Sequence, residues 1–462
     1  MARNPWRRLP ARTRRIIMNL VKLVVTIGGF YLLLTHQVAT WMKTEHGVYF
    51  APIDGAVTAV EVDGQPLAQV PSADGLRAGD EAGWAVDSQH DLLYVHLADG
   101  NNPVTHAVSA KGQPDLGHIP IARAIRSYVT KVDLRPFLFW SLVAMLVKFV
   151  GVLSSAFSWN LLLRGQRLKF PFWGQVVTAF LIGRFIGTFM PSTIGLDGYT
   201  LYEAGHYSNR WHRALTAKAL EKFVGLAGLF TGLLLTLPAG YPVLHEVAGQ
   251  HAPLIIALMA LVCSGVTGGV VVGLARSRAI RWGLDRLGRF VPGPIRRHLE
   301  QFTAAVTAYH GRLDILFGAL LAKFVTHFTT AVVYFFTALA IGVVGVQFVP
   351  IVFGSLIQIF GTVFSPTIAG EGAREALQAL LLSNYLGGAA QAVLSAALGF
   401  IAAEAATLWG GAFLWTRTAG WRPSYMLVDG EQVDYAWLGD DRGGFDADEL
   451  ARHTRGDAPA AG

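Results

Sequence analysis

A lysine stands inside an apolar stretch twice in this chain, and its surroundings repeat with it. Ala144, Leu146, Lys148, Phe149 and Val150 return 175 residues later as Ala319, Leu321, Lys323, Phe324 and Val325. At the same spacing Leu181, Ile182, Phe185, Phe189 and Pro191 return as Leu356, Ile357, Phe360, Phe364 and Pro366. After a one-residue slip, Thr193, Ile194, Asp197 and Gly198 align with Thr367, Ile368, Glu371 and Gly372. A charge in hydrocarbon costs about 3 kcal/mol or more, so such a lysine faces a partner or a cavity. Its duplication beside a duplicated Pro/Gly break predicts two related membrane halves with a site between them.

Composition supports a membrane setting. Only 15% of the 462 residues are charged and 52% are hydrophobic, with several runs approaching the ~20 apolar residues that a bilayer core demands. The net charge of +7 sits in blocks beside those runs, where it reads as topology signal rather than as a nucleic-acid surface. Cys263 is the single cysteine, which excludes an intrachain disulfide and a cysteine-built zinc site.

The basic residues divide the chain. Residues 1–15 are a basic cytoplasmic N-terminus and 16–38 an uncleaved transmembrane anchor. Residues 44–131 alternate polar and apolar and carry the turn pairs Asp63-Gly64 and Asp99-Gly100, so they predict a small β-rich extracytoplasmic domain. Its histidines, His90, His96, His106 and His118, fit no metal spacing and read as surface or core residues. A first membrane repeat is expected over 137–238, with a re-entrant hairpin at 172–207 broken at Pro191, Gly195 and Gly198. Arg210, Arg213 and Lys218 after it read as cytoplasmic, and 238–253 as a loop. A span at 254–275, a basic cytoplasmic connector at 276–312 and a second repeat at 313–415 follow. That repeat holds a hairpin at 351–385 broken at Pro366, Gly370 and Gly372; 420–462 reads as an acidic, loosely folded cytoplasmic tail. The Lys/Arg bias places the two repeats in opposite orientation. The fold class is thus an all-α polytopic membrane protein with inverted repeats, two re-entrant hairpins and a β-rich insert.

The ionisable residues within these segments are the candidate substrate-binding groups. They are Lys148, Arg184, Asp197, Glu203, Glu221 and Lys222 in the first half. Lys323, His327, Glu371, Arg374, Glu375 and Glu404 belong to the second. A purely structural reading pairs Lys148 with Asp197 or Glu203, and Lys323 with Glu371 or Glu375. His327, four residues after Lys323 on one helix face, is a packing histidine or a proton relay. No Walker loop, H-E-x-x-H or dinucleotide fingerprint is present, and neither an enzymatic activity, a metal nor a cofactor is expected.

Four motifs occur in order: Trp159-x-x-Leu162-Leu163-x-Gly165, Pro191-x-x-x-Gly195-x-Asp197, Ala219-Leu220-Glu221-Lys222-x-x-Gly225-Leu226 and Pro366-x-x-x-Gly370-x-Gly372-x-Arg374-Glu375. Over about residues 137–415 the chain resembles the flippase-like transmembrane family, which includes the membrane region of lysylphosphatidylglycerol synthase. The resemblance implies translocation of an anionic or aminoacylated phospholipid, or of a polyprenyl-linked lipid. It assigns family roles to Pro191, Gly195, Asp197, Glu221, Pro366, Gly370, Gly372, Arg374 and Glu375. Two positions depart from the family: Thr200 and Lys222 stand where an arginine is usual, which removes two bidentate phosphate grips. The aminoacyl-transferring domain is not expected in this chain.

The expected function is therefore an inner-membrane lipid translocase whose partners are membrane lipids. Two other readings stand beside it. One is an ion- or proton-coupled transporter of a small anionic solute. The other is a non-transporting assembly or sensor protein whose insert, 44–131, binds a periplasmic partner.

Overall fold

The computed structural model describes residues 10–39, 41–78, 81–113, 116, 118–188, 194–276, 309, 312–363, 370–418 and 420–433. Helix α1 (Ala11–Thr35) carries the apolar stretch Leu23–Thr35 and gives way to strand β1 (Gln37–Ala39). The anchor expected to run to residue 38 thus stops earlier. Gln37 and Val38 instead satisfy their backbone groups by pairing antiparallel with β9 (His118–Pro120), which closes the base of the insert.

The insert is β-rich, as its alternation requires. A four-stranded antiparallel sheet runs in the order β2 (Met42–Lys43), β3 (Val48–Pro52), β7 (Leu92–His96), β6 (Gly83–Asp87). Strands β3 and β7 are buried along their whole length. A second sheet orders β5 (Gln65–Pro66), β4 (Val60–Val62) and β8 (Val108–Ala110). Asp63 and Gly64 turn the β4–β5 hairpin with φ of 52° and 78°, as a two-residue turn of this kind needs. Asp99-Gly100 makes no hairpin: β8 pairs with β4, not with the preceding β7. Helix α2 (Ala73–Ala78) lies against β6 and β7. Helix α3 (Ile121–Val129) ties the insert to the helical body, where Tyr128 Oη donates to the Ile341 carbonyl at 2.6 Å.

The helical body begins with α4 (Leu134–Gly165), whose first turn is capped by Asp133 accepting from the Arg135 N–H. Helices α5 (Thr178–Thr188), α6 (Ile194–Ser208), α7 (Trp211–Thr236), α8 (Tyr241–Ala248) and α9 (Ala252–Ala275) follow. Past the connector come α10 (Leu313–Ala340), α11 (Phe348–Val363), α12 (Ala373–Leu382), α13 (Ala389–Ala405) and α14 (Trp409–Thr416). Among the described residues four stretches are long and apolar enough to cross a membrane: Leu134–Gly165, Trp211–Gly273, Leu313–Ala340 and Ala389–Thr416.

Helices α4 and α10 form the central pair and run antiparallel. Their contacts step down one helix as they climb the other. Lys148 meets Thr330, Thr326 meets the Gly151 carbonyl, Ser154 meets the Ala322 carbonyl, and Ser158 meets the Ala319 carbonyl. Small and hydroxylated residues line this seam because they let backbones approach closely and supply hydrogen bonds where water is excluded.

Several expectations are revised. The 238–253 loop is a 3-10 turn (Leu237–Gly240) followed by α8, so its backbone is paired rather than open. Gly195 and Gly198 are not part of a break but lie within α6. Gly195 is required by packing, since a Cβ there would sit 2.5 Å from the Gly187 backbone nitrogen of α5. Gly370 and Gly372 do interrupt the backbone, with φ of 75° and 78°, and Gly372 caps α12. The start of the acidic tail is folded. Strands β11 (Leu427–Val428) and β12 (Glu431–Gln432) form a hairpin that pairs with β10 (Leu168–Lys169), and Asp429 holds Arg213 at 3.0 Å. The expectations for 1–9, Pro191, Pro366, most of 276–312 and 434–462 fall outside the described residues.

Candidate functional site

The seam between α4 and α10 opens into a cavity of about 640 Å³, walled also by α5, α6, α7, α11, α12 and α13. Lys148, Arg184, Asp197, Glu221, Lys222, Lys323, His327, Arg374 and Glu404 all line it. The wall therefore carries five cationic and three carboxylate side chains.

Each carboxylate is already engaged. Glu221, buried on α7, holds two lysines, with Lys323 Nζ 2.6 Å from Oε1 and Lys218 Nζ 2.6 Å from Oε2. Glu404 accepts from Arg184 at 3.1 Å and from the Thr188 hydroxyl at 2.6 Å. Asp197, in the first turn of α6, binds Lys222 and lies 3.8 Å from Lys218. The pairings expected from the sequence are thus replaced. Lys323 pairs with Glu221 rather than with Glu371 or Glu375, and Lys148 with neither Asp197 nor Glu203. Helix azimuth, which spacing along the chain does not reveal, decides these choices.

Three expected residues do not line the cavity. Glu203 is buried elsewhere, 2.9 Å from Arg417 and accepting from the Tyr199 hydroxyl at 2.8 Å. Glu375 turns back on its own helix end: its Oε2 accepts the Gly372 N–H at 2.7 Å and its Oε1 accepts from Arg374 at 2.7 Å. It fixes Arg374, whose guanidinium lies 4.3 Å from the Phe400 ring centre, and so shapes the wall from behind. Glu371 is half-buried just before the α12 cap.

Lys218 is the residue that the sequence reading missed. Rather than a cytoplasmic flanking charge, it is buried on α7, donates to the Thr200 hydroxyl at 2.8 Å and lies 3.9 Å from the Trp159 ring centre. The Lys218-x-x-Glu221 spacing, one helical turn, was the available signal. Thr200 thus receives the Lys218 ammonium.

The family description for the lysylphosphatidylglycerol synthase TM region matches residues 120–410. The chain belongs to that family. Neither a curated protein nor a solved structure matches it. The lysylphosphatidylglycerol synthase TM match spans α3 to the start of α14 and hence every cavity-lining residue. It leaves out α1, most of the β-rich insert and the β11–β12 hairpin. With its four long apolar stretches, this member of the family is a multi-pass membrane protein.

Proposed function

We propose that the protein moves an anionic phospholipid or a polyprenyl-linked lipid between the leaflets of a bacterial inner membrane. Both chain termini lie in the cytoplasm, and the two halves, 137–238 and 313–415, form inverted repeats. The carrying observation is the cavity, in which cations outnumber carboxylates among apolar helices. Such a wall draws a phosphate out of the headgroup layer, while acyl or prenyl chains stay in lipid.

The inversion has its own support in the α4–α10 seam. Residues 175 apart exchange roles across it: Lys148 donates to Thr330 and Lys323 donates to Ser155. Gly151 and Thr326, the same distance apart in sequence, meet each other at the crossing. Equivalent helices that run antiparallel and trade contacts this way are what a two-fold axis in the membrane plane produces.

Transfer of labelled phosphatidylglycerol or polyprenyl phosphate between leaflets of proteoliposomes tests the activity. Exchange no faster than in protein-free vesicles for both lipids would sink it. Orientation is tested separately by impermeant thiol labelling in a Cys263→Ser background. A cysteine at Lys131 should label from outside the cell and one at Arg312 only after lysis; labelling of both from one side refutes the inversion.

A further inference from the structure

The two repeat lysines make the same hydroxyl contact but not the same ion pair. Lys323 donates to Ser155 at 2.8 Å and to Glu221 at 2.6 Å. Lys148 donates to Thr330 at 3.1 Å and, among the described residues, forms no ion pair. Both residues are buried to the same degree, 8% exposed. The segments following α5 and α11, 189–193 and 364–369, contain no Asp or Glu that could supply the missing partner.

The asymmetry extends to the helices that flank the central pair. Helix α7 brings Glu221 against Lys323, whereas the α13 residues that line the cavity, Gly399, Phe400, Ala403 and Glu404, include one carboxylate. That carboxylate, Glu404, forms no ion pair with Lys148 and has both oxygens engaged by Arg184 and Thr188. The Thr330 hydroxyl gives its own proton to the Thr326 carbonyl at 2.7 Å, so it can only accept from Lys148. One of the three ammonium donors is thereby used, and the others border the cavity.

We propose that Lys148 is the seat for the oxyanion of the ligand, a phosphate group, which occupies the place that Glu221 fills beside Lys323. Lys323 is a structural cation locked by its internal carboxylate. The seat rests on the lipid-translocase reading for the source of that phosphate, whereas the chemistry of the seat is the same for a lipid headgroup and for a free phosphate. An uncompensated buried ammonium binds an oxyanion strongly because the ligand removes a desolvation cost that the protein otherwise bears.

Native mass spectrometry of the full-length protein in detergent tests the seat with three probes: phosphatidylglycerol, diacylglycerol of the same chains, and inorganic phosphate. Phosphatidylglycerol should be retained by wild type and by Lys148→Arg, and diacylglycerol should not. Lys148→Met should lower retention about tenfold, the scale of one charge-assisted hydrogen bond. Thr330→Asp is the decisive variant, because it installs an internal carboxylate next to Lys148. It should keep the fold, raise thermal stability and reduce phosphatidylglycerol retention to the level of Lys148→Met. Inorganic phosphate bound with the same dependence on Lys148, while phosphatidylglycerol is ignored, would uphold the seat and overturn the lipid reading. Phosphatidylglycerol retention by Thr330→Asp equal to wild type would overturn the seat and leave leaflet exchange to be judged by its own assay.

Discussion

The β-rich insert and the helical body both cluster charges, with nearly equal distances and opposite surroundings. In the insert His106 bridges two carboxylates, 2.7 Å from Asp63 and 3.1 Å from Asp99, and those acidic side chains are 56% and 41% exposed. In the body Glu221 bridges two lysines at 2.6 Å each, and no member of that trio exceeds 10% exposure. Water screens the first cluster, so its Coulomb energy is small and nearly cancelled by side-chain ordering. The second has no water to fall back on, and each charge there depends on its partner. Similar geometry therefore has different consequences, and removing single charges from each region measures how different.

The largest effect is expected at Glu221. Glu221→Gln leaves Lys218 and Lys323 facing each other inside the body without their shared anion. Breaking a buried network in this way costs about 3–5 kcal/mol. The expected outcome is a large fall in the melting temperature of the detergent-purified protein. A melting temperature within a degree or two of wild type would mean that water or lipid already screens the site, and the comparison would collapse.

An intermediate effect is expected at Asp87, the least exposed carboxylate of the insert clusters, which binds Lys131 and accepts from His90 at 2.9 Å. Partial burial pushes its carboxyl up, but the hydrogen bonds from Lys131 and His90 outweigh that and hold it at about 2, against 3.8 for a free aspartate. A depressed carboxyl contributes stability that is present above its unfolded value and is lost as pH falls through its folded value. Asp87→Asn should therefore weaken the insert by about 1 kcal/mol at neutral pH. The gap to wild type should close between about pH 4 and pH 2. Trp84, buried in β6, provides the fluorescence readout. A gap that persists at pH 2 would show that the effect is one of shape, not charge.

The same contrast explains what the sequence made legible. The continuous apolar run around Lys148 predicts a spanning helix because only a helix pairs the backbone of a single segment within itself in lipid, and α4 is that helix. The Asp63-Gly64 turn was readable because two left-handed residues in succession admit few alternatives. Charge partners were not readable. Lys148 and Lys323 announce themselves by sitting in apolar surroundings, but which carboxylate each one faces depends on how neighbouring helices rotate. Lys218 was hidden for a related reason: a lysine seven residues into a helix that starts with Trp211, His212 and Arg213 looks like more of the same basic flank. The hairpin at Leu427–Gln432 carried an ordinary signal, Asp429-Gly430 after the apolar pair Leu427-Val428, which the acidic composition around it outweighed.

The smallest effect, and the cleanest test of screening, lies at His106. The hydrogen bond to Asp63 raises its pKa above 6.5, desolvation opposes this, and Asp99 adds to the rise. A raised histidine contributes stability fully present below its unfolded value and lost as pH rises through its folded value. The carboxyl of Asp63 is lowered, chiefly by that same hydrogen bond, so its share is lost at the opposite, acid end. The clamp is thus tightest in mildly acidic solution and loosens above about pH 6.5. The Ala107 N–H, which donates to Asp63 at 2.8 Å, reports on it directly. His106→Gln should speed hydrogen exchange at Ala107 slightly at pH 6, more in low salt than in high, and leave it unchanged at pH 9. An effect independent of both salt and pH would show that the loop is held by its backbone alone, and that the exposed cluster is bystander to the fold in a way that the Glu221 cluster is not.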